Sequence, residues 1–243
     1  MNNFRETERW LKRGLKRKVS ITEGLLVAFM ITGGLFGGIS ESAYAGTVLG
    51  GNATATGANA IAGGEGAKAE GSNSIAMGYN TKASGTDSIA MGYSAKALEE
   101  NAIAMGNGVE ALGQNSVAMG AGTKASGGFS LAMGYLSEAN GDFSVALGES
   151  TKAEGSYSFA AGYLSEAKGR NSFAYGGYYD GSVSGYDVRA LANTNASIAF
   201  GEGTVAGTDG GSEEAVAIGY RSKAIADKTM ALGFDAEANV AGG

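Results

Sequence analysis

The sequence predicts an all-β fold, a parallel β-roll (solenoid) wound in coils of 14 residues. Three observations carry that prediction. Glycine recurs at a spacing of 14 from Gly64 to Gly176, through nine copies. A large apolar residue followed by alanine keeps the same spacing, from Ile61-Ala62 to Phe173-Ala174. The chain also holds 43 glycines and no proline while remaining 44% hydrophobic. That combination fits neither a disordered chain, which is short of hydrophobes, nor collagen, which needs glycine and proline together.

In chain order, the first element is an address. Residues 1–24 carry Arg5, Arg9, Lys12, Arg13, Lys16, Arg17 and Lys18, an apolar run extends from Leu25 to Ile39, and Ser42-Ala43-Tyr44-Ala45 closes the segment. A basic region, an apolar stretch and an A-x-A end are the three parts of a secretory signal peptide. Residues 1–45 are therefore expected to be an extended signal peptide cut after Ala45, and 46–243 the exported β-roll. A retained membrane anchor is the competing reading, but a span takes roughly 20 apolar residues, and this shorter run contains Gly33, Gly34, Gly37 and Gly38. Without residues 1–45 the chain keeps 11 of its 18 Lys and Arg and 20 of its 24 Asp and Glu, a net charge of −9. Such a surface disfavours nucleic acid and anionic membrane as partners, because both are held by clustered Lys and Arg.

The repeat itself reads N-S-I-A-M-G-Y-x-x-x-A-x-G-x. Small residues hold two further columns, Ala69 to Ala167 and Gly71 to Gly169, and a worn copy around Gly50, Ala55 and Gly57 extends the array toward the start of the exported chain. A fixed period of this length marks a solenoid. Within a copy, S-I-A-M alternates small and bulky residues, which is the period of a strand, and the glycine after it permits turn conformations that other residues resist. A second short strand is expected around Lys82-Ala83-Ser84. Two strands and two turns make one small coil, each strand pairing with its equivalent in the next coil.

Strand alternation places Ile75 and Met77 on one side, and Ser74 and Ala76 on the other. A coil this small has a thin interior, which the alanine columns fill. The bulky column is then an outer stripe: Ile75, Met77, Ile89, Met91, Ile103, Met105, Val117, Met119, Leu131, Met133, Val145 and Leu147. At roughly 1.5–3 kcal/mol per buried large apolar side chain, such a stripe favours cyclic association around a common axis. Composition alone leaves the number of chains open.

The copies of N-S-I-A-M-G at 14-residue spacing resemble the head repeats of trimeric autotransporter adhesins of Gram-negative bacteria, the YadA-like family of type V secretion. The resemblance covers about Gly46 to Gly243. It implies a left-handed parallel β-roll assembled as a homotrimer, displayed at the cell surface and held in the outer membrane by a C-terminal barrel. It also implies virulence-related binding of a host cell-surface glycoprotein or matrix protein, with carcinoembryonic-antigen-related (CEACAM-type) molecules, collagen and fibronectin as the classes in question. No heptad stalk or run of amphipathic membrane strands follows the repeats, so stalk and anchor are expected beyond Gly243.

Against this background, candidate sites are few. Histidine and cysteine are absent, which removes the commonest metal ligands, the usual general base near neutral pH and every thiol nucleophile. No cofactor or metal is expected, and no enzymatic activity. The run Gly63-Gly64-Glu65-Gly66-Ala67-Lys68 lacks the following helix that a phosphate loop needs. Asp87, Glu99, Glu100 and Asp142 read as solvated charge, and Glu213-Glu214 or Asp180 with Asp187 are the only carboxylate pairs for a glycan-active enzyme.

Aromatics are more informative. Tyr79, Tyr93, Tyr135, Tyr163 and Tyr220 follow the consensus glycine and are expected at turns, with Leu136 and Leu164 beside two of them. Phe129, Phe143 and Tyr157 form a second ladder on successive coils, read as coil-to-coil stacking. An insertion at about 177–194 holds 11 residues more than the period requires and reads either as a binding loop or as a cap. The receptor-binding candidates are Tyr135, Leu136, Tyr163, Leu164, Tyr178 and Tyr179. The expected function is an adhesin head, with a structural spacer or self-association module (autoagglutination, biofilm) as the alternative.

Overall fold

A computed structural model describes residues 46–177, 189–208 and 214–239 of the chain. The expected signal peptide, Tyr178 and Tyr179 lie outside the described residues. The described residues contain no helix and form the predicted parallel solenoid of about 13 coils. Each coil contributes one long strand, as in Ile75–Tyr79, and one two-residue strand, as in Lys82–Ala83. Long strands stack into one 13-stranded parallel sheet and short strands into another.

Register follows the sequence period. Ile75 pairs with Ile89 and Tyr79 with Tyr93, and the short strands pair Lys82 with Lys96. Beyond the break in the period the columns resume: Phe173 pairs with Ile198 and Ala174 with Ala199. They resume again after the shorter interruption, Ile198 pairing with Val216.

The interior is as thin as the alternation requires. The alanines of the Ala76 and Ala83 columns are fully buried from Ala69 to Ala224, and Ser74 and Thr81 head two more buried columns. Some interior hydroxyls bond a turn carbonyl, while those of Thr81, Ser116, Thr123, Ser130, Ser144 and Thr151 have no partner within the protomer. Ser74 Oγ donates to the Gly71 carbonyl at 2.7 Å, and Ser88 Oγ to that of Gly85 at 2.7 Å. All twelve residues of the Ile/Met stripe lie on the outer face of the long-strand sheet, half-buried or exposed in the protomer.

Glycine is demanded where the long strand turns. Gly120 has φ +126, and a Cβ there would strike the Gly134 carbonyl of the next coil. Gly108 differs, with φ +61 and open space around its missing Cβ. A left-handed backbone alone costs an ordinary residue about 1–2 kcal/mol, whereas Gly120→Ala adds a collision with backbone. Gly120→Ala is expected to lower stability by about 3 kcal/mol or more, and Gly108→Ala by about 1 kcal/mol. Paired thermal melts of the two variants check this, and equal melting temperatures would refute it.

Candidate binding surface

Two turns complete each coil, and both force a residue into the left-handed region. The first turn leads from the short strand into the long one. Its left-handed position is held by Asn59, Asn73, Asp87, Asn101 and Asn115, and again by Asn171, with φ near +56. Asn and Asp tolerate this conformation better than other side chains. They also form an amide ladder: Asn59 Nδ2 donates to Asn73 Oδ1 at 3.1 Å, Asn73 Nδ2 to Asp87 Oδ1 at 2.9 Å, and Asn101 Nδ2 to Asn115 Oδ1 at 3.0 Å.

On three consecutive coils aromatics replace those amides. Phe129, Phe143 and Tyr157 have φ +57, +56 and +60, yet each remains about half exposed, at 54%, 47% and 52%. Their rings stack at 5.0 Å with interplanar angles of 2°, and the Arg170 guanidinium lies 5.7 Å from the Tyr157 ring centroid. Stacking contributes about 0.5–1.5 kcal/mol per pair, of the same order as the left-handed strain. The fold therefore neither requires nor forbids the aromatic ladder.

At the second turn, between long and short strands, the left-handed position is held by Asn80, Ser94, Gly108 and Gly122 on four coils, then by Leu136, Ser150 and Leu164. Leu136 has φ +53 and is 46% exposed, its Cδ2 lying over Gly122, where any Cβ would collide. The tyrosines expected at turns are placed differently. Tyr79, Tyr93, Tyr135 and Tyr163 each end a long strand, one residue before the turn, while Tyr220 does lie in a turn. The N–H of each residue after them bonds the neighbouring coil, as Leu136 N does to the Ala121 carbonyl at 2.9 Å, and this extends pairing through the tyrosine. Tyr79 and Tyr93 stack on each other at 5.1 Å, whereas Glu149 separates Tyr135 from Tyr163.

The acidic residues mostly serve as rungs. Asp142 Oδ1 accepts from the Gly128 N–H at 2.8 Å, and Glu100 Oε2 from Gln114 Nε2 at 2.8 Å. Glu70 accepts from Ser84 Oγ at 2.8 Å and lies 3.3 Å from Lys82 Nζ. The Ser84 hydrogen bond, followed by Lys82 and Lys68, holds the Glu70 carboxyl below its ordinary value. A depressed carboxyl of this kind supports folding at neutral pH and loses that contribution on acidification. Among the described residues, no three carboxylates gather to hold a metal ion. Of the carboxylate pairs, Asp180, Asp187 and Glu213 lie outside the described residues. The Gly63–Lys68 run turns directly from Ile61–Gly63 into Lys68–Ala69, with no helix after it.

A pattern that sequence reasoning overlooked covers the short-strand face. Lys96, Glu110, Lys124, Glu138, Lys152 and Glu166 are paired in register as a ladder of alternating charge, with Lys96 Nζ 2.8 Å from Glu110 Oε1. The residue before each column alanine is the signal that would have revealed it. From Lys96 to Glu166 this face neutralises itself, whereas Lys68, Lys82 and Lys96 stack as like charges on the coils before it.

A family model described as the YadA head domain repeat matches residues 42–66, 55–81, 83–108, 111–137, 125–151, 139–165, 153–178 and 212–236, together well over half the chain. No curated protein matches.

The near balance of strain and stacking generates a prediction. Replacing the aromatic ladder by the amides found on other coils, with Phe129→Asn, Phe143→Asn and Tyr157→Asn together, is expected to leave unfolding free energy within about 1 kcal/mol of wild type. Denaturant titration reads this directly, and a loss of several kcal/mol would make the ladder a structural staple.

Proposed function

The chain belongs to the YadA head family, and on that premise we propose that it is a non-catalytic adhesin head that binds a host cell-surface or matrix protein from the bacterial surface. Family membership carries the coarser part: a surface-displayed adhesin that works as a trimer. The finer part rests on one observation, that Leu136 and Leu164 occupy left-handed turn positions which most other coils give to Asn, Asp, Ser or Gly, Arg221 being the other long side chain there. The fold does not ask for leucine there, and strain kept at a position that is exposed at Leu136 and half-buried at Leu164 points to a use outside the fold. Tyr135 and Tyr163 stand beside them, and large rings supply contact area at low entropic cost.

Tyr135 and Tyr163 are two coils apart, roughly 10 Å at ordinary strand spacing, so one partner domain spans both. Three copies in a trimer add avidity to a modest single-site affinity. Fluorescent full-length chain is expected to bind cultured epithelial cells saturably while showing no concentration-dependent growth in light scattering. Self-association without cell binding would favour the spacer and autoagglutination reading and sink this one.

Trimerisation about the outer stripe carries its own prediction. Ile89→Asp with Met91→Asp places charges where burial without partners is expensive. Light scattering of that variant is expected to show loss of the trimer or insolubility, and an unchanged, well-folded trimer would refute the assignment of this face.

A further inference from the structure

We infer that the docking surface is composite, formed where the first turn of one protomer meets the second turn of its neighbour. Phe129, Phe143 and Tyr157 come from one chain, and Leu136 and Leu164 from the next. The inference rests on the adhesin reading above and on the family's trimer.

Four observations carry it. First, apolar side chains enter the left-handed positions of both turns on the same stretch of the array, residues 129–164. On earlier coils both positions carry residues that tolerate the conformation. Two unrelated corners have changed character at one height.

Second, within a protomer these corners are far apart. Phe129 and Leu136 flank the strand Leu131–Tyr135 at its opposite ends, roughly 20 Å apart by strand rise. The face between them is the stripe that the trimer covers. A partner cannot bridge them on one chain.

Third, a threefold axis along the stripe is a pure rotation, so the coils of the three protomers stay level. Each long strand then presents its beginning to the end of the neighbour's. The ladder of one chain faces Leu136 and Leu164 of the next at each of three seams.

Fourth, the exposed chemistry selects the partner. Ring faces within the ladder are covered by stacking at 5.0 Å, and Arg170 lies over the outer face of Tyr157. Sugars and bases dock on ring faces, whereas the ladder, apart from the outer face of Phe129, offers ring edges and the second turn offers leucine methyls. The half-exposed rings present about 300 Å² of apolar surface per seam, and the opposite corner brings the total to on the order of 500 Å². A stable protein contact takes about 800 Å² per partner, so the seam supplies the apolar centre of one. The occupant is a folded host protein that presents apolar side chains.

Intersubunit complementation tests this. One variant carries Phe129→Asn, Phe143→Asn and Tyr157→Asn. The other carries Leu136→Asn and Leu164→Asn, the residue that Asn80 supplies at the same position. Both are made as full chains with different tags, alone and co-expressed, and mixed trimers are isolated through both tags. Each homotrimer is expected to keep its mass and melting temperature and to lose tenfold or more in binding to cultured epithelial cells. Mixed trimers of either stoichiometry contain one intact seam and are expected to regain about a third of the wild-type number of sites.

Absence of recovery in the mixed trimer would overturn the composite site, as would a homotrimer that binds like wild type. Loss of the trimer in either variant would also overturn it, because the corners would then occupy each other. Binding that survives trypsin treatment of the cells but is lost on enzymatic deglycosylation would replace the protein partner by a glycan. Failure of the wild-type chain to bind cells is a different result, which removes the adhesin reading itself.

Discussion

Each coil closes on an interior that admits four small side chains, typified by Ser74, Ala76, Thr81 and Ala83, and among the described residues no fully buried side chain is larger than Val109. The rest of the structure depends on this lack of room. Burying a methyl group stabilises by less than about 1 kcal/mol, so the alanine columns alone are a weak core. Backbone ladders running the length of both sheets contribute alongside them. The large apolar residues have nowhere to go but outward, onto the outer face of the long-strand sheet. A fold that cannot bury its own isoleucines and methionines favours association, and the proposed trimer answers the constraint that the thin interior sets.

The same tightness dictates the turns. Two residues in every coil adopt left-handed φ, and most coils meet that demand with Gly, Asn, Asp or Ser. Neighbouring coils contact only each other in a solenoid, so a costly residue at a turn is felt locally. Coils carrying residues 129–164 use that freedom, placing aromatic and leucine side chains where strain must be tolerated. Within the repeat, the alanines and the turn glycines of the Gly120 column hold the fold, and the left-handed positions are open to variation.

Much of this was legible in the sequence because the period is strict. Spacing at Gly64 to Gly176 gave the coil, and alternation in S-I-A-M gave inside and outside. The charge ladder from Lys96 to Glu166 went unread for a different reason. Its positions vary between Lys and Glu, and only strand register makes the alternation meaningful. The tyrosines were placed one residue too far along, since a glycine with positive φ reads as the turn itself. At Gly78 the chain instead stays paired through Tyr79 and turns at Asn80. That Phe129 and Leu136 share the sign of φ with Asn73 and Asn80 is a property of the backbone, and no residue type announces it.

Within this framework the two apolar corners are not equivalent. Phe129, Phe143 and Tyr157 sit on consecutive coils, so each ring stacks on the next and strain is largely offset within the protomer. Leu136 and Leu164 are separated by Ser150, and leucine gains no quadrupole stacking in any case. A stacked ladder can persist for its own sake, but an interrupted pair of leucines is harder to explain from inside one chain. Leu136 Cδ2 rests over Gly122 and Leu164 is half-buried, yet each leaves part of its side chain without a neighbour in its own chain. The nearest other surface in a threefold assembly is the ladder-bearing edge of the next protomer, and the seam between them is where an incoming partner meets both.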